Sequence, residues 1–189
     1  MKKLIAIAGM AWGVTQGVQA NIVTGNLLVN GDFETGDFTG WTEVGPLTTV
    51  RSGSYGGYTA YSGNDFVYFG AVGSDATLAQ TVSDTAGSIY NLTFWLAGNG
   101  TLPSDLNVIW NGVTVATINP IANQPYTQYS YFLTGTGLDT LTFGLRNDPN
   151  YDALDAVSLT GAAAPDASST LPLLGAGLLA VSALRRKLS

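Results

Sequence analysis

The 189-residue chain contains neither cysteine nor histidine. Together these absences exclude Cys and Ser-His nucleophile chemistry, zinc fingers and histidine-based transition-metal sites. Without cysteine no disulfide can staple the fold, so stability has to come from a hydrophobic core, supplemented by a metal if one binds. Charge is also scarce, and positive charge is nearly missing from the middle of the chain. Lys2 and Lys3 open the sequence and Arg185, Arg186 and Lys187 close it, so that between residues 21 and 164 only Arg51 and Arg146 face twelve acids. A body this acidic repels polyphosphate, which argues against nucleic acid as a partner. The same acidity suits a hard cation such as calcium. From residue 27 to residue 160 there is no useful run of helical period, only short apolar stretches divided by Gly, Asn, Asp and Pro.

What is present is glycine, at 24 residues, and a good supply of Thr, Val, Tyr, Phe and Trp. That is the composition of an all-β domain with many turns. After trimming at both ends there is room for one domain of roughly 130 to 140 residues, within the usual single-domain range. Strands are expected at 27–29, 47–51, 65–69, 77–82, 88–96, 106–110, 113–118, 126–133, 140–146 and 154–160. The strongest is 88–96, where Tyr90, Leu92, Phe94 and Leu96 alternate with Ile89, Asn91, Thr93 and Trp95, giving one apolar and one mixed face. The clearest local signal is Asn111-Gly112 between two β-rich arms, which favours the positive φ angles of a type I′ hairpin. Eight to ten short strands without helices in one domain predict a sandwich or barrel, most simply a jelly-roll β-sandwich.

The two ends read differently. Residues 1–20 combine a basic start, an apolar run and Val18-Gln19-Ala20, which is the pattern of a helical secretory signal peptide with its cleavage site. At the other end the soft stretch 161–170 leads into an apolar segment, 171–184, and then the basic cluster. As a helix that segment reaches only about 21 Å, short of the roughly 30 Å hydrocarbon core. It can insert with its basic residues on the cytoplasmic side but makes a poor permanent anchor, as a sorting signal would. A plain amphipathic or core helix is the alternative.

The tail from Ala164 through Pro165 and Asp166 to Arg185, Arg186 and Lys187 resembles the PEP-CTERM class of exosortase sorting signals. Its Pro-Asp motif is closer to the variant that begins Val-Pro-Asp-Ser-Gly than to the usual Pro-Glu-Pro. The resemblance implies a Gram-negative bacterium, export, passage of residues 171–189 through the membrane, and cleavage near Pro165 by an exosortase, in a setting of extracellular polysaccharide or biofilm.

The body carries a second resemblance. Asn30-Gly31-Asp32-Phe33-Glu34 followed by Gly40-Trp41, the strand from Tyr90 to Leu96, and the closing Leu154-Asp155-Ala156-Val157-Ser158-Leu159 are similar to the galactose-binding-like jelly rolls, among them many carbohydrate-binding modules. The resemblance implies that the first and last strands lie side by side and hold a structural calcium. Its ligands would be the Glu34 and Asp155 side chains with backbone carbonyls near Gly31 and Asp32. Where the family often has paired acids before the final Val, this chain has Leu154 in place of the first. The alternative for Glu34 and Asp155 is that both are turn carboxylates bonded to backbone amides.

Sugar recognition would call on exposed aromatic rings, because the apolar faces of sugars stack on flat rings while nearby polar groups read hydroxyls. Candidates are Trp95 on the mixed face of its strand, Tyr55, Tyr58 and Tyr61 in the Gly-rich loop, and Tyr126 or Tyr129 with Gln128. Packing in the core or at an edge is the competing reading, and it is preferred for Trp41 and Trp110. Paired carboxylates could serve glycoside hydrolysis, but the acids sit in turn contexts, which points away from catalysis. The expectation is an exported, non-catalytic surface or matrix protein that binds extracellular polysaccharide. The alternative is a purely structural, self-associating matrix component.

Overall fold

The computed structural model describes residues 25–46 and 48–162. The expected signal peptide, the sorting motif at Pro165 and Asp166, and the tail with Arg185, Arg186 and Lys187 lie outside the described residues. Twelve strands follow in order: β1 (Thr42–Val44), β2 (Thr48–Ser52), β3 (Ser54–Tyr55), β4 (Tyr58–Thr59), β5 (Asp65–Phe69), β6 (Ala76–Ser83), β7 (Ile89–Asn99), β8 (Ser104–Trp110), β9 (Val113–Ile118), β10 (Asn123–Thr134), β11 (Leu138–Asn147) and β12 (Asp152–Gly161). No helix occurs among the described residues, and hence none long and apolar enough to cross a membrane.

The strands form two five-stranded antiparallel sheets, a first in the order β1-β6-β11-β8-β9 and a second in the order β10-β7-β12-β5-β2, with β3 and β4 as a separate hairpin. This is the expected all-β jelly roll. Period-two alternation explains how the layers meet, since residues of one parity on each strand point between the sheets. Tyr90, Leu92, Phe94 and Leu96 of β7 meet Leu106 and Val108 of β8, Leu141, Phe143 and Leu145 of β11, and Leu154 and Leu159 of β12 in one continuous core. Leu154, which stands where the resemblance implies an acid, is fully buried there. Trp41 and Trp110 both belong to the core, and each indole donates to a backbone carbonyl, Asn30 O and Thr134 O respectively, both at 3.0 Å.

Local chemistry sets the turns. Asn111 and Gly112 both take positive φ, 50° and 76°, as a two-residue β8–β9 hairpin requires. The structure adds three short strands that the sequence does not announce: β1, and the pair β3–β4 inside the Gly-Tyr-rich loop.

The opening stretch departs from expectation, because residues 27–29 form no strand. Leu27 N donates to Leu159 O at 2.9 Å, but for Leu28 and Val29 side-chain amides supply the partners that a strand would have found in a neighbouring backbone. Gln80 of β6 accepts from Val29 N at 2.7 Å and donates to Val29 O at 3.0 Å. Asn26 accepts from Leu28 N and Leu159 N and donates to Val157 O. The stretch therefore lies beside β12, as the resemblance implies, and also ties to β6 of the opposite sheet. Gly31 is pressed so closely on β12 that a Cβ would stand 2.1 Å from Val157 O.

Candidate functional site

The outer face of the second sheet carries the groups of interest. Along β7 the outward residues are Thr93, Trp95, Ala97 and Asn99, flanked by β10 and β12, with Trp95 opposite Gln128 on one side and Asp155 on the other. The segment from Gly53 to Asn64 folds back over this face, and its tyrosines pack against rings of the sheet while Tyr55 and Tyr61 stay exposed on their other side. Tyr61 stacks on Trp95 with centroids 3.8 Å apart and planes 16° apart, while Tyr126 meets the same Tyr61 edge-on at 5.8 Å. Tyr55 and Tyr58 meet Tyr68 edge-on, and Tyr68 stacks on Tyr151 at 4.3 Å. Thus the seven candidate sugar contacts divide into three groups. Trp95, Tyr61, Tyr126 and Gln128 stand together, Tyr55 and Tyr58 stand on the second nest of rings, and Tyr129 turns to the interior, stacked on Phe94. One face of Trp95 is taken by Tyr61, which is itself 43% exposed.

Between the β3–β4 hairpin and the ends of β7 and β10 runs a groove of about 530 Å³, lined by Tyr58, Asn99, Asn123, Gln124, Tyr126 and Asn150 around a glycine and alanine floor. Amides and phenols line it, with no basic side chain. Asn99 is fixed by its own bonds, donating to Tyr151 O at 2.8 Å and accepting from Thr101 N at 2.8 Å. Gln124 donates to Leu96 O at 3.2 Å. Behind the groove Asp152 is fully buried; its Oδ1 accepts from Asn99 N at 3.0 Å, and the Tyr58 hydroxyl lies 3.5 Å away. Two polar atoms here are buried without a hydrogen-bond partner, Tyr126 Oη and Asp152 Oδ2. Burial pushes Asp152 up to about 6, and it raises the phenols of Tyr58 and Tyr126 well above the ordinary tyrosine range, so both remain neutral donors.

The four residues expected to surround calcium lie where the opening stretch meets β12, beside Tyr61. Glu34 Oε1 accepts from Asn64 N at 2.7 Å and Asp65 N at 2.8 Å. Asp155, fully buried, accepts from Tyr61 N at 2.7 Å, Ser62 N at 3.1 Å and Ala156 N at 2.5 Å. The two acids thus brace one loop from opposite ends of the chain. Gly31 O accepts from Val157 N at 2.7 Å, and Asp32 is exposed at a small cleft with Asn26, Asn30, Ala156 and Ser158. Burial raises Asp155 to about 6; its amide partners pull the other way, and the Glu34 charge adds to the rise. Two acids held near one another with no basic partner at salt-bridge distance fit a hard cation in charge and donor type. No third acid joins them among the described residues, so any further ligands would be carbonyls.

Asn99, Asn123, Asn150 and Asp152 escape the sequence reading. They lie at or beside strand ends in three separate parts of the chain, and no local pattern distinguishes a groove-facing asparagine from one that caps a turn.

No family model matches the chain, and no curated protein matches it. Several solved structures do. TmCBM61 in complex with β-1,4-galactotriose aligns over 72% of this chain and 99% of its own, at 22% identity and a TM-score of 0.56. The CBM22-1 xylan-binding domain of Paenibacillus barcinonensis Xyn10C aligns over 74% and 97%, at 18% identity and a TM-score of 0.52. The enzymatically active domain of tailspike protein 4 from bacteriophage CBA120 aligns over 72% of this chain but only 21% of its own, at 19% identity and a TM-score of 0.55. The likeness is one of fold: the structural neighbours are jelly rolls, and the two that align over nearly their whole length are carbohydrate-binding modules.

Proposed function

We propose that this protein is a non-catalytic glycan-binding domain whose groove beside the β3–β4 hairpin takes a segment of neutral polysaccharide. One observation carries the reading: the Tyr126 hydroxyl is buried without a protein partner in a groove otherwise lined by amides, phenols and small residues. Such an orphan costs free energy unless a ligand or water satisfies it. Sugars supply hydroxyls for the amides and apolar ring faces for the tyrosines. Titration calorimetry with β-1,4-galacto- and xylo-oligosaccharides tests the proposal, and Tyr126→Phe should weaken binding about tenfold, the worth of one well-made hydrogen bond to a buried group. Absence of binding across a broad panel of neutral glycans would overturn it.

A structural calcium shared by Glu34 and Asp155 belongs to the same proposal, supported by their convergence on one loop and by the lack of a positive partner. Those two side chains, with Gly31 and Asp32 carbonyls nearby, would hold the ion, and it would clamp the opening stretch to the last strand. The melting temperature should rise with calcium and fall with a chelator; no difference would sink this part.

The address is proposed on sequence grounds: export through the leader, exosortase processing at Pro165, and display at the surface or in the matrix of a Gram-negative bacterium. Deleting residues 185–187 should leave uncleaved precursor in the membrane. The alternative, a self-associating matrix protein, is favoured by one feature. Edge strand β9 leaves Val113 and Val115 exposed on an unpaired edge. A concentration-dependent size in sedimentation, abolished by Val115→Lys, would support it.

A further inference from the structure

On the far side of the β3–β4 hairpin from the groove lies a smaller pocket of about 270 Å³, lined by Thr48, Thr49, Arg51, Tyr55, Tyr68 and Tyr151. Arg51 is one of only two basic residues in the body of the chain. The other, Arg146, has an acid 3.8 Å away in Asp148, whereas no acid of the described residues lies within salt-bridge distance of Arg51. Its guanidinium carbon instead stands 4.2 Å from the centroid of the Tyr55 ring. With one face given to an aromatic ring, its remaining capacity is the in-plane fork of N–H donors. One polar atom of this lining is buried and without a partner, Arg51 Nε. Beside it lies the stacked pair Tyr68 and Tyr151.

We infer that this pocket binds the carboxylate of a uronic acid residue, with the Arg51 fork on the carboxylate and the tyrosines against the sugar ring. The inference rests on the glycan-binding reading and extends it from neutral segments to chains that carry carboxylates. A guanidinium matches a carboxylate in a bidentate geometry, and its buried donor gains most from a charged acceptor. The pocket lies just below the range of drug-sized sites, which suits one sugar residue rather than a longer segment. The surrounding acidity disfavours doubly charged phosphate groups and dense polyanions. The expected partner is therefore a polysaccharide in which uronate residues are spaced among neutral ones.

Calorimetry on the full chain with oligogalacturonate, its methyl ester and free galacturonate tests the inference. Esterification removes the charge and keeps the ring, and the free acid distinguishes a bare carboxylate from a uronate within a chain. The wild type should prefer the acid oligomer to the ester about tenfold, a preference that weakens as salt rises. Arg51→Gln should abolish the preference while leaving affinity for neutral oligosaccharides unchanged, and Arg51→Lys should keep a part of it. Unchanged melting of Arg51→Gln guards against misfolding. If the wild type binds neutral glycans but shows no acid preference, or if Arg51→Gln retains it, the uronate inference falls and the groove stands. If the acid preference follows Arg51 but Tyr126→Phe changes nothing, the groove assignment falls instead. Binding of free galacturonate as tight as the oligomer would overturn recognition of a chain, and no binding to any of these ligands overturns the uronate inference.

Discussion

The corner that closes the sandwich and the outer face of the second sheet are both built from polar and aromatic residues, yet they treat their polar atoms in opposite ways. In the corner Asn26, Gln80, Glu34 and Asp155 spend their oxygens and amides on backbone groups of distant segments. On the outer face Tyr126 Oη and Arg51 Nε are buried and unpartnered. Saturated polar clusters hold a fold together, whereas unsaturated ones lower its stability and persist where something else supplies the missing partner. The difference separates architecture from recognition better than residue type does, since both regions contain acids, amides and rings.

The comparison breaks most easily at Asp155. Asp155→Ala strands three amides, those of Tyr61, Ser62 and Ala156, and should lower stability by about 3 kcal/mol even after relief of a buried charge. For a domain of this size that corresponds to a fall in melting temperature of roughly 10 °C. Asp155→Asn keeps an acceptor oxygen and should lose about half as much. An unchanged melting temperature for Asp155→Ala would mean that the corner is not held by its saturated acids.

The next effect is on pH, and here both regions contribute. Asp152 and Asp155 each rise to about 6 in the folded protein, chiefly by burial, against an ordinary value near 3.9. A raised carboxyl binds its proton more tightly when folded, so its stabilising contribution is complete below about pH 4 and is lost as pH climbs through 6. After allowance for solvent screening the loss is about 1 to 2 kcal/mol per group. Thermal melts in chelator should therefore decline from pH 4 to pH 7, and Asp152→Asn should flatten part of the slope. A curve that rises over this interval would contradict the burial of both groups.

Gln80→Ala should cost about 1 to 2 kcal/mol, because two hydrogen bonds to Val29 disappear at once. Its readout is faster amide exchange in residues 27–31, with β7 unaffected; uniform exchange would show that the side chain does not stand in for a strand. This pair also marks the limit of the sequence reading. Leu27 to Val29 looks like a strand because it is apolar, but what satisfies the Val29 backbone is a glutamine 51 residues away, a pairing no local pattern announces. The β8–β9 hairpin and the alternation along β7 were legible because their causes are local: two positive φ angles at Asn111 and Gly112, and a period of two. The tyrosines, Trp95 and Gln128 could be singled out by chemistry, but the stacking of Tyr61 on Trp95 depends on how the Gly-rich loop folds back. The groove amides arise at strand ends more than 20 residues apart, and only the assembled sheet brings them together.

The smallest effect on stability, and the sharpest test of the contrast, is expected at Tyr126. In the corner, removing a polar atom strands its partners; at Tyr126 the hydroxyl has no protein partner to strand. Tyr126→Phe keeps the ring that packs near Tyr61 and removes only the orphan, so stability should be unchanged or rise by up to about 1 kcal/mol. Glycan affinity should fall at the same time, which sets the residue apart from every corner substitution, where stability falls first. A clear loss of stability in Tyr126→Phe would show that the hydroxyl is satisfied within the fold after all. The groove would then have to be counted with the architecture, and the division between the two regions would lose its basis.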